Sequence, residues 1–287
     1  MSRRSPGPRL PDFLLIGATK GGTTSLHRWL GGHPGVWMPP DKELRYFTTQ
    51  HEWGRGPDWY AAQFADAPEG AVVGEASNAY TRHPVYDGVP ARIAAMLPEA
   101  RLVYVVRDPM ARIESHYRHR LVTGIEWRAP ARALRADPRY VAASLYGHQV
   151  ARYLEHFPVR QLLVLRSEEM FADPDAALAR LGAFLGIDAA EGPAFGSHNV
   201  TATRRIAPWP LRRLAGFPAA RPRAKAWAAG LARSPAGRLL RRADAPAFDL
   251  GPALREELSA RFAEDARLLA RLVPETSTKP PMETVPA

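Results

Sequence analysis

Cysteine is absent from all 287 residues, which excludes disulfides and thiolate metal sites. Long apolar runs are absent as well: no stretch approaches the roughly 18 residues that a membrane-spanning helix needs. The only apolar run behind Arg3-Arg4 is the short one at 13–16, too short for the core of an export signal, so the sequence predicts a cytoplasmic protein. Acidic residues are missing from one interval. None lies between Glu191 and Asp244, a segment that carries eleven lysines and arginines. The net charge of +10 therefore belongs to this segment, and the rest of the chain is close to neutral. Lysine is scarce, 4 residues against 35 arginines. With the many alanines and prolines this has the look of a GC-rich coding bias, which weakens any argument from arginine number alone.

What is present is organised around Phe13-Leu14-Leu15-Ile16-Gly17-Ala18-Thr19-Lys20-Gly21-Gly22-Thr23-Thr24-Ser25. An apolar run bounded by glycine predicts a buried strand, and Ser25-Leu26-His27-Arg28-Trp29-Leu30 restarts with helical spacing before Gly31-Gly32. The helix N-terminus then points at the loop. Free N–H groups, the positive end of the helix dipole and a lysine converge on one spot suited to an oxyanion. The frame Gly17-x-x-x-x-Gly22 is that of a nucleotide-triphosphate loop, but Thr23 stands where the lysine should follow, and Lys20 lies inside the loop. The cradle is kept and the cation is moved.

The remaining chain alternates strand and helix. A helix is expected at 58–64, a short strand at 71–75 ending on Glu75, a helix at 90–97, and an all-apolar strand at 102–106 that runs into Arg107-Asp108-Pro109. A helix at 109–122, a strand at 162–165 and helices at 174–185 and 252–272 follow. This predicts an α/β fold: a P-loop-like parallel sheet flanked by helices, with a basic helical C-terminal extension. Residues 12–273 are read as one domain with a basic helical cap at 206–250, between a disordered basic tail at 1–11 and a disordered tail at 274–287. In open parallel sheets ligands bind beyond the carboxyl ends of the strands, and Lys20, Glu75 and Arg107 all lie just past such ends.

Lys20-Gly21-Gly22-Thr23-Thr24 resembles the Lys-x-Gly-Thr-Thr loop of sulfotransferases that use 3′-phosphoadenosine 5′-phosphosulfate (PAPS). Arg107, with Ser115 eight residues later, resembles the arginine and serine by which those enzymes bind the nucleotide 3′-phosphate. Glu43-Leu44-Arg45-Tyr46-Phe47 looks like the Glu-x-x-aromatic-Phe element of the heparan-sulfate-type branch, whose glutamate is the proposed base. Gly74-Glu75-Ala76-Ser77-Asn78-Ala79-Tyr80 resembles that branch's acceptor element, with Ala76 and Asn78 where glycosaminoglycan enzymes commonly carry Lys and Pro. Leu165-Arg166-Ser167-Glu168 and Asn199-Val200-Thr201 resemble its later landmarks, so that the likeness spans roughly 12 to 205.

The resemblance implies a PAPS-dependent sulfotransferase with Lys20, Gly21, Gly22, Thr23, Thr24, Ser25, Arg107, Ser115 and Arg204 (or its rival Arg205) on the donor, and no metal. Sulfuryl transfer passes a planar group between two oxygens in line, so positioning and stabilisation of leaving-group charge carry it. Lys20 and the loop amides suit that task. Glu43 is the first candidate for general base and Glu75 the second. An aspartate holding Mg²⁺, as in a triphosphatase, would have to be Asp108, which sits one place too late behind an arginine. The expected acceptor is a small-molecule or glycan hydroxyl, or an amine, on a carbohydrate, lipid or secondary metabolite. Nucleic acid is not an expected partner, and the basic segment is compatible with peripheral membrane contact. The alternative is a nucleotide-loop protein that binds nucleic acid or anionic membrane through that segment. The nine histidines, His27, His116, His119 and His148 among them, are read as surface or helix-packing residues.

Overall fold

The computed structural model describes residues 9–196 and 247–274. Arg204 and Arg205, the expected tails apart from 9–11 and Pro274, and the expected cap apart from 247–250 lie outside the described residues. Five parallel strands form the sheet: β1 (Phe13–Gly17), β2 (Val36–Trp37), β3 (Val72–Ala76), β4 (Arg101–Val106) and β5 (Leu162–Arg166), in the order β2-β3-β1-β4-β5. Ten described helices surround it: α1 (Thr23–Gly31), α2 (Gly56–Ala62), α3 (Val89–Met96), α4 (Pro109–Val122), α5 (Pro130–Ala136), α6 (Pro138–Val141), α7 (Tyr146–Leu154), α8 (Ser167–Ala172), α9 (Pro174–Leu185) and α10 (Pro252–Leu272). Seven of them, α2, α3, α4, α5, α6, α9 and α10, carry a proline in the first turn, where its missing N–H is not needed, and the sequence marked four of their starts by it. The two-residue edge strand β2 and the bounds of α5, α6, α7 and α8 were not readable from periodicity.

Period-two alternation explains how β1 serves both faces. Leu14 and Ile16 join Val73, Leu102, Tyr104 and Val164 in a core covered by Tyr60, Ile93, Tyr146, Val150 and Tyr153. Phe13 and Leu15 join Val103, Val105 and Leu165 under Leu26, Trp29, Leu30, Leu178, Leu181 and Leu185. All four β1 residues are completely buried, and each such side chain contributes about 1.5–3 kcal/mol. Register makes Gly74 obligatory: it pairs with Phe13, and a Cβ there would lie 2.1 Å from the Phe13 ring.

From β1 the chain turns towards β3 and β2, and from β4 it turns towards β5. The carboxyl ends of β1 and β4 therefore flank the switch point of the sheet, where open α/β folds place their ligands.

The far C-terminal helix is part of this arrangement. Leu145, before α7, offers no side-chain cap. Asp265 of α10, 3% exposed, supplies it by accepting from Gly147 N at 2.9 Å and His148 N at 3.0 Å, with His148 Nδ1 at 2.6 Å. Gly147 permits this approach, since a Cβ there would meet the Asp265 carbonyl at 2.6 Å. Asp265→Ala is expected to cost about 1–3 kcal/mol by leaving two buried N–H groups unpaired. Urea unfolding would show it as a lower midpoint, and an unchanged midpoint would refute the capping role.

Candidate active site

The loop after β1 folds back over β4. Ala18 N donates to the Val105 carbonyl at 2.7 Å, and a Cβ on Gly21 would lie 2.7 Å from the same oxygen. Only glycine fits there. Gly22 caps α1 at φ 98°, with Met170 and Phe171 of α8 3.1 Å from the position of a Cβ. Thr23 and Ser25 are buried at 3% and 2%, whereas Thr24 is half-buried and takes part in a contact across the cradle. The first turn of α1 presents N–H groups with no intrahelical acceptor, and Lys20 stands beside them. Arg107 follows β4 by one residue, next to the carbonyl that holds the loop. Its guanidinium has no carboxylate partner among the described residues, where Asp108 caps Ala111 N at 2.7 Å and Glu114 pairs with Arg118 at 2.8 Å. Ser115 sits half-buried two turns into α4.

Glu43 arrives from a separate loop fastened to the end of β3. Glu43 N donates to the Ala76 carbonyl at 2.9 Å, Arg45 N donates to Ser77 Oγ at 2.9 Å, and Asn78 grips the Glu43 carboxylate through N at 3.0 Å and Nδ2 at 2.6 Å. Arg45 Nε lies 3.9 Å from the same carboxylate. Asn78, a departure from the glycosaminoglycan pattern, is thus what orients Glu43. The non-glycine residues at positive φ among those described are Lys20 (70°), Glu43 (68°) and Arg45 (55°). Each costs about 1–3 kcal/mol, and such conformations gather at functional sites.

Glu75 does not share the crevice with Glu43. Its side chain is 0% exposed and accepts from Tyr60 Oη (2.7 Å), Tyr80 Oη (2.8 Å) and Ser77 Oγ (2.6 Å). Burial raises its proton affinity, and the three hydroxyl donors offset part of that. A base must reach the proton it removes, and a carboxylate sealed in the aromatic core reaches none. The reading of Glu75 as the second candidate base is corrected accordingly: Glu75 anchors Ser77, which anchors the Glu43 loop.

Sequence reasoning missed Lys42, whose Nζ donates to Thr24 Oγ1 at 3.2 Å. Burial holds its proton affinity below that of an ordinary lysine, with Glu43 pulling the other way. A signal existed: of the four lysines, Lys20 and Lys42 are the two that fall among the described residues, and both lie here. His27, one turn into α1, has a buried Nε2 without a partner among the described residues. Burial, then the charges of Lys42 and Arg28, lower its pKa to about 4. The unfolded chain takes up this proton first as the pH falls. The stability that His27 contributes is therefore full above about 6.5 and lost progressively towards pH 4. His27→Gln is expected to flatten the fall of unfolding free energy between those values, measured by denaturant titration at several pH values. An unaltered slope would count against it.

Among the described residues no group of three or more His, Asp or Glu side chains could hold a metal ion, and no helix is long and apolar enough to cross a membrane. Residues 10–198 match the family model described as the sulfotransferase domain. Among curated human relatives, the chain is 27% identical over 220 residues to bifunctional heparan sulfate N-deacetylase/N-sulfotransferase 3, covering 69% of this chain and 25% of the relative. It is 30% identical over 193 residues to heparan sulfate glucosamine 3-O-sulfotransferase 3B1, covering 64% of this chain and 48% of the relative. The chain thus spans between a quarter and a half of those proteins. The solved structure of a sulfotransferase from Alicyclobacillus acidocaldarius matches with a TM-score of 0.65 at 26% identity, over 92% of this chain and 96% of that one. A glycine cradle at the switch point of a parallel sheet, and a family match over most of the described chain, make this protein a member of the sulfotransferase domain family.

Proposed function

We propose that this sulfotransferase moves a sulfuryl group from PAPS to the hydroxyl of a small-molecule or glycan acceptor by in-line displacement. The observation that carries the reading is the Lys42-Glu43 pair: Lys42 bonds to Thr24 of the phosphate cradle, which leaves the candidate base one residue away from it. Bound PAPS would supply the electrophilic sulfuryl group and a nucleotide leaving group. Gly21 and Gly22 let the backbone approach its 5′ end, and the contacts a Cβ would make there fit that use. Lys20 and Lys42 bring two ammonium groups to the side where negative charge grows as the bond to the leaving group breaks, so they favour the transition state over the bound donor. Arg107 offers a fork of donors to the 3′-phosphate, and Ser115 adds a hydroxyl.

Glu43 takes the acceptor proton. A carboxylate has about four lone-pair directions, and the two Asn78 donors leave directions open. Arg45, 46% exposed beside it, supports the reading as a cation available to an acceptor. The names of the relatives specify glucosamine 3-O-sulfation and N-sulfation, which supports a sugar hydroxyl or amine as one acceptor class.

Calorimetric titration with adenosine 3′,5′-bisphosphate, beside Mg-ATP, tests the donor site. Binding of the bisphosphate alone, lost in Arg107→Ala, is expected, and heat with Mg-ATP but none with the bisphosphate would sink the reading. Glu43→Gln should then lower turnover roughly 10²–10⁴-fold, followed as bisphosphate release with any acceptor found by screening, while nucleotide affinity stays as in the wild type. Equal turnover in Glu43→Gln would remove the base assignment.

A further inference from the structure

Thr19, the residue before Lys20, is one of the unspecified positions of the Gly17–Gly22 frame, yet two arginines converge on it. Arg82 donates to its hydroxyl through Nη2 at 2.6 Å and Nε at 3.2 Å. Arg112 Nη1 approaches its carbonyl at 3.4 Å, while the other nitrogens of Arg112 bond Ser144 Oγ and the Tyr140 carbonyl. Arg112 is 0% exposed, and among the described residues neither guanidinium has a carboxylate within ion-pair distance. Burying a cation against neutral acceptors is expensive, and burial lowers the proton affinity of both groups. What they hold in common is the one residue that sets the backbone direction into Lys20, which itself stays in the left-handed region.

Arg82 also closes the short turn that begins with Asn78, the residue gripping Glu43, and within that turn Thr81 Oγ1 donates to the Ile16 carbonyl at 3.1 Å. Asn78, which holds the candidate base, and Arg82, which holds the residue before the loop lysine, are thus four positions apart. We propose that Thr19 is a positioning residue: clamped by Arg82 on its hydroxyl and by Arg112 on its carbonyl, it fixes the Lys20 ammonium over the 5′ end of the donor. The 78–82 turn then sets Lys20 and Glu43 at a constant separation. The inference rests on the PAPS reading above and concerns how the cradle is kept in shape.

The test compares two nucleotides that differ only at the 5′ end, adenosine 3′,5′-bisphosphate and adenosine 3′-monophosphate, titrated into wild type, Thr19→Val, Thr19→Ser and Arg82→Ala. The expected result is a loss of about tenfold in bisphosphate affinity for Thr19→Val and Arg82→Ala, the size of one charge-assisted hydrogen bond. Affinity for the monophosphate should be unchanged, and Thr19→Ser should restore the bisphosphate affinity because it returns the hydroxyl. Unchanged bisphosphate affinity in Thr19→Val would overturn the proposal. So would an equal loss for both nucleotides with a lower melting temperature, since that marks a purely structural contact. A wild-type protein that binds neither nucleotide would remove the donor reading itself, and the clamp with it, which is a different failure from a variant that binds as the wild type does.

Discussion

The backbone contact between Ala18 N and the Val105 carbonyl is the constraint on which the site depends. A loop leaving β1 could rise away from the sheet. This one lies down across the neighbouring strand, so close that residue 21 can carry no side chain. One consequence is that the β1 loop and the end of β4 become neighbours through a main-chain hydrogen bond. Another is that α1 starts directly after this loop, at the carboxyl end of β1, where an anion gains most from the helix dipole.

Much of the fold was legible because its signals are local. An apolar run stopped by glycine, a proline in a first turn and an all-apolar strand ahead of Arg107 each act within a few residues, and the helices at 109–122, 174–185 and 252–272 stand where these signals put them. The supports of the site were not legible. Arg82 to Thr19, Asn78 to Glu43 and Asp265 to His148 join positions 63, 35 and 117 residues apart, and no spacing rule links them. Glu75 is an instructive error. Val73 and Glu75 share one face of β3, and Val73 is a core residue, so alternation alone places Glu75 inward. Its position at a strand end points to the ligand crevice, and the face it occupies points to the core.

The site is held together by groups that do no chemistry themselves. Tyr60 and Tyr80 are completely or almost completely buried, and both hydroxyls go to Glu75. Through Ser77 that carboxylate reaches the backbone of Arg45. Tyr46 stacks on Tyr60 at 4.4 Å between ring centroids, and the Phe47 carbonyl accepts from Arg92 Nε at 2.8 Å. The loop carrying Glu43 is therefore rooted in the aromatic core, and its strained backbone is compensated there by packing and hydrogen bonds.

The scarcity of lysine takes on a physical meaning once the crevice is known. An arginine keeps its proton under all ordinary conditions, whereas a lysine can have its proton affinity moved by its surroundings. Across the described residues, histidine apart, the cationic side chains are arginines everywhere except at Lys20 and Lys42. Among the described residues, and histidine apart, the cationic side chains whose proton affinity can be moved by their surroundings are both at this crevice. The arginines of the described surface carry their charge without competing for protons with the candidate site.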